Sequence, residues 1–190
     1  MEQAGTIGMW AMDRDAPALA DFDAVVQVYR PRIFRFALAS LRDRDAAQSV
    51  TQDCFLRAYH ARESFRGDST LQTWLMQIAV NLVRDAARNR RLRFWKRAEG
   101  SAVDIHAASE WLPARDMTPE QRASARQQVA AVWSAMTVLS EKQRTVFLLH
   151  FLEEMSAAEI EAATGISRAA IKVHLFRAVH AIREKLGKTR

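Results

Sequence analysis

The stretch GISRAAIKVHLFRAVHAIREKL, Gly165 to Leu186, holds residues suited to touching a nucleic acid. At 100° per residue, Ile171, Leu175, Val179, Ile182 and Leu186 fall within one quadrant and predict a core-facing stripe. The opposite side carries Ala169, Val173, Phe176, Arg177 and His180, with Lys172 on its flank. A solvated face needs no Phe or Val. A face laid in the DNA major groove uses them: apolar side chains meet thymine methyls, and cations meet guanine acceptors and phosphates. Small residues at Ala169 and Ala170 let the backbone come close. His174 offers a further phosphate donor, the alternative being a lone histidine that is merely tolerated there. The alternative use of Val173 and Phe176 is to cover a neighbouring helix or partner.

A second surface of the same kind lies upstream. From Arg84 to Arg97 the chain sets seven cations, including Arg88, Arg90 and Arg91, against the single Asp85. Phe65, Trp74 and Asn81 precede the run. Aromatics stack on unpaired bases while cations hold the backbone beside them. Trp74 serves equally well as a core residue within TWLMQIAVNLV.

These residues need helices to position them, and helix-start signals recur. Asp21 precedes FDAVVQVYRPRIFRFALASL, where Pro31 predicts a kink or break. Asp45 with Gln48, and Ser69 with Gln72, have capping-box spacing. ESFRGDS is a turn around Gly67. Thr118 with Pro119 and Gln121 restarts a helix. Ser140 with Gln143 and Ser156 with Glu159 start two more. Gly165 ends the short one and Ser167 caps the last. The segment SAAEIEAATGISRAAIKVHLFRAVHAI has the form of a helix-turn-helix, with Ala158, Ile160 and Ala163 beneath Ile171 and Leu175. No strand-like alternation persists. The fold class is all-α: two small helical domains joined by a flexible linker, the second containing the helix-turn-helix. The expected bounds are a tail over 1–17, a first domain over 18–96, a linker over 97–118 and a second domain over 119–187.

Composition limits the function. The net charge of +6 favours an acidic partner. One cysteine, Cys54, excludes a disulfide framework and a Cys-based zinc site. His174 and His180 stand too far round the helix for a shared metal. No apolar run approaches the ~20 residues that span a bilayer, so direct membrane insertion is not expected, and no signal-peptide order appears at the N-terminus. A nuclease would cluster acids around metal ions. Glu153, Glu154, Glu159 and Glu161 instead read as scattered helix-start charges. No catalytic residue, metal, cofactor or small-molecule substrate is expected, and the location is cytoplasmic.

The strings DCFLRAYHARESFRGDSTLQTWLMQIAVNLVRDAARNRR and LSEKQRTVFLLHFLEEMSAAEIEAATGISRAAIKVHLFRA together resemble the bacterial RNA polymerase sigma factors of the extracytoplasmic-function (ECF) group. The resemblance covers residues 22–96 and 119–186. It implies an alternative sigma factor, not an enzyme, that binds core RNA polymerase and directs initiation at promoter DNA. It implies −10 element contacts from Phe65, Arg66, Gly67, Asp68, Ser69, Trp74, Asn81, Arg84, Arg88 and Arg91, with Asn81 in the pocket for a flipped base. It implies −35 element contacts from Arg168, Ala169, Lys172, Val173, His174, Phe176 and Arg177. The linker is expected to run toward the active-site cleft of the polymerase. An anti-sigma factor is an expected partner.

The clamp-binding helix departs from the family pattern. Where the family reads much like DAEDLVQETF, this chain reads AAQSVTQDCF, Ala46 to Phe55. Gln52, Asp53 and Phe55 keep the pattern, whereas Gln48 and Ser49 replace an acidic pair. The resemblance places all five at the polymerase clamp. The competing expectation is a sigma-like DNA-binding regulator with weakened core binding, or with binding restored by phosphorylation at Ser49 or Thr51.

Overall fold

The computed structural model describes residues 19–94 and 118–187, and these form seven α-helices with two short 3₁₀ turns and no strand. Helix α1 is Phe22–Leu41, α2 Arg44–Ala61 and α3 Leu71–Phe94. Helix α4 is Pro119–Ala135, α5 Glu141–Phe151, α6 Ala157–Thr164 and α7 Arg168–Gly187. The expected tail and nearly all of the expected linker lie outside the described residues.

In the first domain, α1 buries Val25, Tyr29, Ile33 and Phe36 at spacings of four and three. It packs along α2, which turns in Ala47, Val50, Cys54 and Ala58, and against α3 with Leu75, Met76, Ala79 and Val83. In the second domain, Trp133, Met136, Val146, Leu149 and Met155 form the centre, and α7 closes it with Ile171, Ala178 and Ile182. The two cores are continuous, because α6 packs on α3 and α5 on α1.

Caps explain most helix ends. Asp21 accepts from the Ala24 N–H at 3.1 Å. Thr118, Ser140 and Ser156 each form a full capping box with Gln121, Gln143 and Glu159. Gly165 ends α6 at φ 72°, a conformation that L side chains rarely adopt.

Three expectations need correction. Of the kink or break expected at Pro31, the break does not occur: α1 runs continuously through it. Pro31 and Gln27, whose carbonyl loses a donor to the ring, are both on the exposed side, so the deficit does not fall in the core. The cap of α2 is Asp43, which accepts from the Ala46 N–H at 2.9 Å, not Asp45. Arg42 ends α1 in the left-handed region at φ 55°, so the connection is only two residues long and the nearer acid takes the cap. The cap of α3 is Thr70, whose hydroxyl accepts from the Thr73 N–H at 3.1 Å. Ser69 only donates to the Thr70 carbonyl, and Gln72 is engaged elsewhere.

Candidate nucleic-acid and polymerase interface

Helix α7 stands on α6 through Ile160, Ala163 and Ile171, all buried. Ala158, expected beneath α7, is exposed instead. The turn is fixed by polar contacts. Thr164 donates to the Ile160 carbonyl at 2.6 Å and accepts from the Ile166 N–H at 3.1 Å. Arg168 pairs with Glu161 at 2.9 Å, and its own N–H donates to the same carboxylate. Arg168 therefore braces the turn while its side chain stays largely exposed.

The outer face of α7 is open. Phe176 is 74% exposed and Val173 47%. Ala169, Lys172 and Arg177 are exposed around them. The Phe176 ring stacks on His180 at 6.3 Å, which holds the phenyl upright without covering it. His174 does not join this face. At 100° per residue it lies nearly opposite Phe176. It is half-buried beside Arg84 and Lys142 in a cleft between the domains, and its Nδ1 is enclosed without a hydrogen-bond partner. His174 therefore stands apart from the open face that carries Phe176 while the domains are packed together.

The second surface follows one side of α3. Trp74, Asn81, Arg84 and Arg88 fall within about 80° of one another around the axis. The Phe65 ring meets Trp74 at 5.0 Å, so the loop from Phe65 to Ser69 is anchored at the head of this row. Trp74 packs against the core and remains only partly buried. Arg66, Gly67, Asp68 and Asn81 are exposed, and Ser69 is half-buried. Gly67 takes φ 75° at the loop's tip. Arg88 pairs with Asp85 at 3.0 Å on the exposed surface, a contact that water and salt weaken. The side chain of Arg91 lies outside the described residues.

On α2, Ser49, Gln52 and Leu56 share an exposed face, with Gln48 and Asp53 at its edges. Phe55 is not on it. It is 8% exposed and turns its ring toward Phe22 at 6.4 Å, so its expected clamp contact is corrected to a core role. Leu56, 57% exposed, is the apolar residue that this face offers. Arg30, Arg44 and Phe34 border Gln48 and Gln52 in a shallow cleft of about 310 Å³. Thr51 is buried and donates to the Ala47 carbonyl at 2.7 Å, which removes it as a phosphorylation site. Ser49 is exposed, with its hydroxyl on the Asp45 carbonyl.

Cys54 is buried and its thiol is pushed up to about 12 by desolvation, so it is no nucleophile. Among the described residues, no three His, Cys, Asp or Glu side chains stand close enough to hold a metal ion, and no helix is long and apolar enough to cross a membrane.

The model of sigma-70 region 2 matches residues 25–93, and that of sigma-70 region 4 matches residues 130–182. The RNA polymerase sigma-H factor of Pseudomonas aeruginosa is 30% identical over 168 residues, covering 87% of this chain and 86% of that protein. The chain belongs to the RNA polymerase sigma factors, in the ECF group. The ECF sigma factor SigW of Bacillus subtilis is 27% identical over 90% of both chains. Among solved structures, the sigma factor RpoE of Bartonella quintana, in complex with the anti-sigma factor NepR, shares the fold. Its TM-score is 0.68 at 22% identity, over 90% of this chain and 99% of that one. As a sigma factor, this chain makes core polymerase promoter-specific, and the alternative of a regulator that has left the polymerase is not favoured.

Proposed function

We propose that the two faces divide promoter recognition between them. The row on α3, with the loop from Phe65 to Ser69, takes the −10 element. Trp74 and Phe65 supply a stacking wall, Asn81 the base contact, and Arg84, Arg88 and Arg91 the phosphate charge. The outer face of α7 takes the −35 element, with Lys172 and Arg177 for acceptors and phosphates and Val173 and Phe176 for methyl groups. The face of Gln48, Ser49, Gln52, Asp53 and Leu56 meets the polymerase clamp. The first domain extends over 18–96 and the second over 119–187, with the intervening segment directed to the polymerase cleft. The protein acts in the cytoplasm, has no catalytic site of its own, and has an anti-sigma factor as a partner, as RpoE of Bartonella quintana has in its complex.

The observation that carries this reading is the uncovered Phe176 and Val173 between two exposed cations, on a helix that already has a complete core face. The test is transcription in vitro with core polymerase from the same organism and a randomised promoter library. Enriched start sites with one conserved −35 and one conserved −10 sequence are expected. Loss of the −35 preference alone in Arg177→Ala supports the division; equal transcription with and without the protein refutes it.

A further inference from the structure

The domains are tied by side chains that neither DNA face uses. Glu153, in the turn between α5 and α6, is 1% exposed. Arg32 of α1 brings its Nε to 3.3 Å from the Glu153 Oε2. Gln72 of α3 joins both partners. Its amide donates to the Glu153 carbonyl at 2.8 Å, and its Oε1 accepts from Arg32 at 3.1 Å. Two further ties lie at the end of α1. Arg42 donates to the Trp133 carbonyl at 2.9 Å, and Arg144 donates to the Ser40 carbonyl at 3.3 Å, one of the carbonyls that a helix end leaves free.

The central tie is imperfect. Arg32 approaches off the line of a hydrogen bond, so both carboxylate oxygens of Glu153 lack a donor, and the buried Nε of Arg35 lacks an acceptor. A buried polar network satisfied only in part is costly in a low dielectric. Burial outweighs the charges of Arg32 and Arg35 and, with Glu154 adding to it, lifts the Glu153 carboxyl to about 7. Such a contact is specific enough to form and weak enough to release.

We propose that Arg32, Gln72 and Glu153 form a latch that holds this sigma factor closed by itself, without a partner, and that must open before both promoter elements are engaged. The promoter consequence rests on the function proposed above; the latch rests on the contacts alone. Elements centred at −35 and −10 stand about 25 base pairs apart, or about 85 Å at a rise of 3.4 Å. A chain of this length packed as one body has a radius of gyration of about 16 Å, hence a span of roughly 40 Å. With α6 packed on α3, the faces of α3 and α7 cannot reach both elements.

The test places spin labels at Gln27→Cys on α1 and Ala162→Cys on α6, both exposed, in the full-length chain; the native Cys54 is buried and raised in pKa, so it escapes labelling. Wild type is expected to give one short, narrow distance. Arg32→Glu, which sets a second carboxylate against Glu153, should lengthen and broaden it. Adding Glu153→Gln to Arg32→Glu should bring the short distance back, and helical circular dichroism confirms that each variant is folded. In transcription at limiting core polymerase, Arg32→Glu should initiate severalfold faster than wild type. A broad distance in wild type, or a short one in folded Arg32→Glu, overturns the latch. If wild type shows the short distance but supports no transcription, the sigma reading falls while the distances still decide the latch.

Discussion

Two residues five apart on α7 should separate stability from recognition. Ile171 is fully buried at the seat of the helix-turn-helix, while Phe176 is 74% exposed. Truncating a buried isoleucine to alanine removes three methyl(ene) groups and leaves a cavity, at about 2–5 kcal/mol. Truncating Phe176 removes a side chain of roughly 200 Å² with only about a quarter covered, so at ~25 cal/mol per Å² its loss costs on the order of 1 kcal/mol of stability. Burial of the remainder against thymine methyls would be worth more than that, and a good base contact is worth about 1–3 kcal/mol, or roughly 5- to 150-fold in affinity. Phe176→Ala should therefore melt in urea within ~1 kcal/mol of wild type and bind a −35 duplex, measured by fluorescence anisotropy, at least fivefold more weakly. Ile171→Ala should lose stability first and affinity only in proportion to the unfolded fraction. Should Phe176→Ala bind the duplex as tightly as wild type, the exposed ring serves a protein partner and the assignment of this face to DNA is wrong.

Asn81→Ala should abolish preference at one position of a single-stranded −10 oligonucleotide while leaving −35 duplex affinity unchanged; a change in melting temperature alone would make Asn81 structural. Ser49→Asp should strengthen core polymerase binding by about 0.2–1 kcal/mol in a competition assay. Gln48→Glu should do less, because Arg30 and Arg44 border the same cleft and would neutralise the new charge within the chain. Closure should depend on pH through Glu153. Its carboxyl sits at about 7 when closed and would return to 4.5 when exposed, so the closed form holds its proton more tightly. Closure should thus be strongest below pH 4.5, weaken up to pH 7 by roughly 3 kcal/mol, and change no further above it. The spin-label distance measured from pH 5 to 8 checks this, and Glu153→Gln should flatten the profile.

What the sequence made legible, and what it concealed, divide along the range of the interactions involved. The boxes at Thr118, Ser140 and Ser156 close within three residues, so residue type and spacing specify them. The core stripe and open face of α7 follow from the 3.6-residue period in the same way. Asp43 and Asp45 offer the same chemistry two residues apart, and only the left-handed turn at Arg42 decides between them. Thr70 and Ser69 present a similar choice. Phe55 shows the limit of a motif: the aromatic keeps its place in the pattern but lies in the core of the first domain, while its neighbour Leu56 is the exposed one.

The interdomain ties obey no period. Gln72 and Glu153 stand 81 residues apart, and each has an ordinary local explanation, as a capping-box glutamine and as a helix-start acid. Those explanations fail because other groups had already taken the local roles: the Thr70 hydroxyl caps α3, and Glu159 completes the box that starts α6. The two polar side chains left over are the ones that reach across the domain boundary. A residue whose local role is already filled by a neighbour is therefore the place to look for a long-range contact, and here that rule leads from two redundant local roles to Glu153, a buried carboxylate between the domains.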